Sequence, residues 1–166
     1  MSILVNGGPT EDFKVGRGLQ QGDPLSPFLF LIVAEGLAGM MRRTVEIGKF
    51  KAFVVDDNIQ FQLLQFADGT ILMGKGVWDN LWTTKILLRS FELVSGLKIN
   101  FVKSKLYGLN VDQRFLEAGY TFLSCRSDFL PFKFLGIPVG ANPSRKETWK
   151  PVMDVMSNRS STWSSR

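Results

Sequence analysis

Three short stretches of this sequence hold residue types that could do chemistry. The first is Arg17-Gly18-Leu19-Gln20-Gln21-Gly22-Asp23-Pro24-Leu25-Ser26-Pro27. It sets polar side chains and two glycines directly before an apolar helical pattern. Gly18 and Gly22 let a ligand or a second backbone approach closely, and free N–H groups at a helix start favour phosphate. The more ordinary reading is a capped loop entering a core helix. The second stretch is Phe66-Ala67-Asp68-Gly69, where Asp68 follows an apolar run and could hold a divalent ion. Taken alone, an Asp-Gly pair is first of all a hairpin turn. The third is Asp56-Asp57. Paired carboxylates suit two-metal chemistry, yet β-prone runs on both sides, with Asn58 next, read as a turn.

Composition narrows what these residues could do. The 166 residues contain no histidine and one cysteine, Cys125. A His-based triad and a His- or Cys-rich zinc site are therefore excluded. A metal site must be built from carboxylates and carbonyls, which suits Mg²⁺ or Mn²⁺. A net charge of +5 allows an anionic partner such as nucleic acid without requiring one. Hydrophobic residues at 45% and charged residues at 21% are globular values, and the length suits one domain with a real core. The longest strongly apolar run, residues 28–34, is far shorter than a spanning helix, and the first residues lack the pattern of a signal peptide. A lone cysteine fits a reducing compartment. The expectation is an intracellular protein, cytoplasmic or nuclear, not secreted and without a membrane partner.

The elements that must position these residues follow from periodicity. Residues 2–5 read as a strand, Asn6-Gly7-Gly8-Pro9 as a turn, and residues 13–18 as a returning strand. Asp23 is placed to cap and Pro24 to open a buried amphipathic helix over residues 24–43, with Phe28, Leu29, Ile32, Val33, Leu37, Met40 and Met41 at helical spacing. Residues 53–55 and 59–64 flank Asp56-Asp57-Asn58 as a hairpin, and residues 70–73 read as a strand after Asp68. A second helix over 78–94 carries Leu81, Leu88 and Phe91 on one face and ends at Gly96. Residues 114–122 read as a short helix, 129–139 as an interrupted β segment, and the stretch after Pro143 as a helix that either reaches Trp163 or frays. No repeat and no long linker divides the chain. The pattern is α+β with hairpins.

Four blocks, in order, carry a family resemblance. Residues 17–27 with Phe28-Leu29-Phe30 resemble the "RGLRQGDPLSPFLF" block of non-LTR (LINE-type) retrotransposon reverse transcriptases, a group abundant in plant genomes. Leu64-Gln65-Phe66-Ala67-Asp68 is similar to the strand entering that family's Tyr/Phe-Ala-Asp-Asp box. Ser95-Gly96-Leu97-Lys98-Ile99-Asn100 with Lys103-Ser104 resembles its "SGLKINxxKS" block, and Phe134-Leu135-Gly136-Ile137-Pro138-Val139-Gly140, after Leu130-Pro131, resembles its "YLGIPLG" primer-grip block. Each block alone is weakly specific; four in order are highly specific.

The resemblance implies a partial polymerase palm, an antiparallel sheet with helices packed on one face, with fingers missing and thumb incomplete. It implies a palm with primer grip over residues 1–142 and the start of a connection or thumb helix over 143–166. By resemblance, Arg17, Gly18, Gln21, Gly22, Pro24 and Ser26 line the incoming nucleotide and template, and Asp68 is a catalytic, metal-binding aspartate. Lys98 and Lys103 lie near the triphosphate or template backbone, and Phe134, Leu135 and Gly136 position the primer end. The implied partners are an RNA template and a DNA primer, and the implied cofactor is Mg²⁺ or Mn²⁺. The implied reaction is in-line attack of a primer 3′-hydroxyl on a nucleotide α-phosphate, with two divalent ions stabilising the entering and leaving oxygens.

Two departures bear on activity. Gly69 stands where the family has a second aspartate, and the family's other metal-binding aspartate lies upstream of the segment with which this sequence begins. A centre reduced to Asp68 is expected to hold ions poorly, and losing such electrostatic stabilisation costs orders of magnitude in rate. The expectation is a reverse-transcriptase fragment that does not synthesise DNA alone, unless a separate upstream polymerase half joins it as a partner. The alternatives are a nucleic-acid-binding remnant carrying Lys98, Lys103, Lys105, Arg114 and Arg126 on a basic surface, or the non-functional product of a decayed retroelement.

Overall fold

Asn6 and Gly7 both take positive φ, 51° and 83°, the backbone that a two-residue type I′ hairpin demands and that this dipeptide tolerates. They join β1 (Leu4–Val5) to β2 (Gly8–Pro9), with Leu4 opposite Pro9. The return strand therefore begins inside the expected turn. The return strand expected at residues 13–18 lies outside the described residues. This computed structural model describes residues 2, 4–11, 22–56 and 59–164. They belong to two compact units, Met1–Ile99 and Asn100–Arg166, and the boundary falls within the Lys98-Ile99-Asn100 sequence rather than in a linker.

In the first unit, helix α1 spans Ser26–Glu46. The expectation of Pro24 in the first turn is corrected: Leu25 is the N-cap, and Pro27 occupies the first turn. Asp23 acts one step earlier, its Oδ1 accepting from the Leu25 N–H at 2.8 Å while its carbonyl accepts from the Ser26 N–H at 3.1 Å. The expected single buried face is corrected as well. Ala34, Leu37 and Met41 are buried, whereas Phe28, Leu29 and Ile32 are exposed. The apolar set is wide enough to cover two sides of the helix, and the core takes one of them.

Two antiparallel hairpins follow. β3 (Phe53–Asp56) pairs with β4 (Ile59–Phe61), and β5 (Leu63–Phe66) with β6 (Gly69–Leu72). The run expected to continue to residue 64 breaks at Gln62, whose carbonyl accepts from the Met73 N–H at 3.0 Å. An antiparallel bridge between Ala52 and Gly74 closes the base of the pair. Helix α2 (Trp78–Ser95) ends as expected at Gly96, a left-handed C-cap at φ 73°. Leu37 and Met41 of α1, Leu87 and Phe91 of α2, and Phe50 form the core, with Leu63 and Leu72 of the second hairpin packed against it.

The second unit opens with a turn that Asn100 organises. Its side-chain oxygen accepts from the Lys103 N–H at 3.0 Å, and its carbonyl accepts from the Ser104 hydroxyl at 2.9 Å. β7 (Lys105–Leu106) pairs parallel with β8 (Arg126–Ser127) across helix α3 (Gln113–Leu123). Asp112 caps α3, accepting from the Arg114 N–H at 2.8 Å and the Phe115 N–H at 3.3 Å. β9 (Phe132–Phe134) and β10 (Ile137–Val139) make the expected interrupted β segment, and α4 (Lys146–Ser164) runs through Trp163.

The architecture is α+β. Among the described residues the strands form five separate two-stranded sheets, four antiparallel and one parallel. A single continuous antiparallel sheet, as the resemblance implied, is not formed among them. Among the described residues, the Ala52–Gly74 bridge and the Lys51–Lys75 bond join the bases of the two central hairpins.

Candidate functional site

The second central hairpin presents Asp68 at its tip. Phe66 pairs with Gly69, so Ala67 and Asp68 alone make the turn. Ala67 takes φ 49°, a left-handed conformation that a β-carbon disfavours. The alternating burial of Leu63 and Gln65 (half-buried) against Leu64 and Phe66 (exposed) is the period-2 pattern of a strand with one face on the core. This register carries Asp68 away from the core, and the residue is exposed.

Asn80 supports the base of this arrangement. It is 5% exposed, and both its amide protons and its side-chain oxygen are hydrogen-bonded. The Lys51 N–H donates to its Oδ1 at 2.7 Å, and its Nδ2 donates to the carbonyls of Lys51 at 2.8 Å and Lys75 at 2.9 Å. Lys51 precedes the first central hairpin and Lys75 follows the second, so one amide ties both ends to α2. Gly74 is packed between Phe50 and Asn80: a β-carbon there would stand 2.6 Å from the Phe50 ring and 2.7 Å from Asn80 Nδ2. Sequence reasoning missed both residues. An asparagine in the first turn of a helix ordinarily signals solvent or a cap, and nothing local marks it as a buried clamp.

The loop before α1 places Gly22 at φ 88°, with Pro24 in the turn that leads to Ser26 at the helix start. Arg17, Gly18 and Gln21 lie outside the described residues. Asp56 ends β3 opposite Ile59; its neighbour Asp57 lies outside the described residues, so their pairing as a site is not described. Among the described residues, no group of three or more His, Cys, Asp or Glu side chains comes together.

Lys98 is exposed just past the Gly96 cap. Its charge, with that of Arg89, helps hold the Glu92 carboxyl below the usual carboxylate range. The largest cause is the hydrogen bond from the Ile99 N–H, 2.8 Å from Glu92 Oε1, followed by the Arg89 guanidinium, 2.7 Å from Oε2. In the second unit, Lys103 is exposed on the Asn100 turn. Lys105 is held instead by Asp128 at 2.6 Å, a pairing that keeps the lysine charged above its usual range and the aspartate below its own. Phe134 ends β9, and Leu135 and Gly136 make the hairpin turn at φ 53° and 82°. Leu135 is 57% exposed. A bulky side chain in left-handed backbone at an exposed tip is uncommon. Among the described residues, no helix is long and apolar enough to cross a membrane.

Residues 2–139 match the family described as reverse transcriptase (RNA-dependent DNA polymerase). The chain is 36% identical over 113 residues to an uncharacterized mitochondrial protein of Arabidopsis thaliana, a match covering 64% of this chain and 88% of that protein. It is 29% identical over 153 residues to a retrovirus-related Pol polyprotein from the type-1 retrotransposable element R2 of Popillia japonica, a match covering 86% of this chain and 20% of the polyprotein.

Proposed function

Because this chain belongs to the reverse transcriptase (RNA-dependent DNA polymerase) family, on its non-LTR retrotransposon branch, we propose that it is a catalytically silent member of that family. The observation that carries this reading is the hairpin tip. Asp68 stands there with Gly69 beside it, and no group of three or more His, Cys, Asp or Glu side chains forms among the described residues. Paired divalent ions need oxygen ligands in number, and this tip does not fit them. No nucleotide-joining step is assigned to the chain. The residual roles follow the family blocks. Gly22, Pro24 and Ser26, with Arg17, Gly18 and Gln21, face nucleotide and template; Lys98 and Lys103 meet phosphate; and Phe134, Leu135 and Gly136 meet the primer end. An RNA template, a DNA primer and an intracellular setting, cytoplasmic or nuclear, belong to the same proposal.

Primer extension on an RNA template with Mg²⁺ or Mn²⁺ tests it. The expected result is no incorporation above an Asp68→Ala control, and incorporation that depends on Asp68 overturns silence.

A second reading, nucleic-acid binding without catalysis, is favoured by the exposure of Lys98 and Lys103. Filter binding of an RNA–DNA hybrid across a salt series separates the two. Real phosphate contacts give affinity that falls steeply with salt and drops in the Lys98→Ala/Lys103→Ala double variant; no measurable affinity at low salt removes this reading.

A further inference from the structure

The backbone leaving helix α2 is tied back to that helix on both sides of Lys98. On the near side, the Gly96 N–H donates to the Glu92 carbonyl at 3.0 Å, and the Leu97 N–H donates to Ser95 Oγ at 3.2 Å. Ser95 Oγ in turn donates to the Phe91 carbonyl at 2.6 Å. With Gly96 in left-handed backbone, these bonds complete the helix end in the ordinary way. On the far side, the Ile99 N–H donates to Glu92 Oε1 at 2.8 Å, a bond that reaches across seven residues and past anything the cap requires. Arg89 holds the other carboxylate oxygen at 2.7 Å. Leu97 and Ile99 are half-buried and pack against the core, whereas Lys98 between them is exposed. Residues 96–99 belong to no helix or strand, so no ladder of backbone bonds fixes them.

We propose that Glu92 is a positioning residue for nucleic-acid binding: its carboxylate fixes the backbone beyond Lys98, so that the ammonium meets a phosphate of an RNA–DNA hybrid from a segment already in place. The proposal rests on the reading of the chain as a nucleic-acid binder and extends it to a residue outside the family blocks. A segment that must be ordered on binding takes that ordering cost out of the affinity. Charge alone predicts the opposite sign. Glu92 carries a negative charge that acts on Lys98, and a carboxylate beside a phosphate-binding lysine opposes a polyanion. If Glu92 acted only through its charge, deleting it would tighten binding; loss of the strap weakens it. Lys103 is placed by a different device, the Asn100 side chain that accepts from its N–H at 3.0 Å. The effect of Glu92 therefore belongs to Lys98 and not to Lys103.

Filter binding of an RNA–DNA hybrid by the full chain at low salt, run as a mutant cycle, tests this. Glu92→Ala is expected to weaken binding roughly threefold or more. Alanine is the best helix former, so this change keeps α2 intact. Glu92→Gln, whose amide oxygen still accepts from the Ile99 N–H, should recover at least the parent affinity. In a Lys98→Ala background, Glu92→Ala should cause no further loss, whereas in a Lys103→Ala background it should cost its full share. A residue that merely stabilised the fold would weaken binding equally in both backgrounds. Trypsin cleavage of the Lys98–Ile99 bond under native conditions, followed by mass spectrometry, reads the strap without nucleic acid and should be faster in Glu92→Ala than in the parent. Unchanged or tighter binding by Glu92→Ala, equal losses in the two backgrounds, or an unaltered cleavage rate overturns the proposal and leaves the binding reading standing. A parent chain without affinity removes the binding reading and the role of Glu92 with it. None of these results bears on catalytic silence, which primer extension decides separately.

Discussion

Asn80 shows how much one buried amide can fix. Its three hydrogen bonds satisfy the backbone of Lys51 and Lys75 at the ends of two hairpins that otherwise share few bonds. Removing it leaves those buried backbone groups without their partner, and unsatisfied groups cost more than the bonds themselves are worth. Asn80→Ala is therefore expected to destabilise the first unit by about 2–4 kcal/mol, measured by urea unfolding followed through tryptophan fluorescence. Loss of under half a kcal/mol would show that water replaces the amide. Gly74→Ala probes the same place from the other side. The added methyl meets the Phe50 ring at 2.6 Å, and overpacking of this kind costs about 1–3 kcal/mol. A variant as stable as the parent would mean that Phe50 can swing away freely. Neither residue announces itself in the sequence, because their importance comes from partners distant in the chain, Lys51 for Asn80 and Phe50 for Gly74. Asp68 is the opposite case. A strand-like run, a turn pair and a following strand place it at a hairpin tip from local pattern alone, and its exposure there agrees with the register.

Elements were legible where their signals were local. Gly96 as a left-handed cap follows from residue chemistry over a few positions, and the short helix expected over residues 114–122 forms as α3, whose Asp112 cap the sequence reading did not name. Asp112→Ala removes the acceptor for two α3 N–H groups and is expected to cost about 1 kcal/mol; an unchanged melting temperature would assign α3's start to packing alone. The burial of α1 was not legible. Phe28, Leu29 and Ile32 fit helical spacing as well as Leu37 and Met41 do, and only tertiary structure decides which side meets the core. The same holds for the sheet: period-2 runs identify strands but not whether hairpins join edge to edge. Glu92 adds a pH dependence to the end of α2. Its folded carboxyl is held low, first by the Ile99 N–H and then by Arg89, so it favours the charged form in the native state. That contribution is fully present above the unfolded carboxylate range and is lost as pH falls through the lowered folded value. Stability is expected to decline on acidification below about pH 5, and Glu92→Gln should flatten part of that decline. An identical pH profile for the variant would exclude Glu92 as a contributor.

At the scale of the molecule, the buried apolar side chains are unevenly shared. Ala34, Leu37, Met41, Phe50, Ala52, Leu81, Leu87 and Phe91 lie in the first unit, and Leu123 is the one buried apolar side chain described in the second. The second unit relies on local devices instead: the Asn100 turn, the Asp112 cap, the stacked rings of Tyr107 and Phe132 at 4.2 Å, and the Lys105–Asp128 pair. That pair is exposed on both sides, and such surface pairs contribute little. Local opening free energy follows the density of buried contacts, so protection should follow the same division. In native-state hydrogen exchange, amides of α2 and of the second half of α1 are expected to exchange slowest, and those of α3 and the β9–β10 hairpin several-fold faster or more. Met41→Ala sharpens the test. Met41 is fully buried at the centre of the first core, and its truncation should cost about 2–5 kcal/mol. Protection should collapse in α1 and α2 while the second unit's rates move little. Uniform loss across both units would show a single cooperative core and contradict the division. Slow exchange throughout α3 in the parent chain would place stability where, among the described residues, Leu123 is the one buried apolar side chain to account for it.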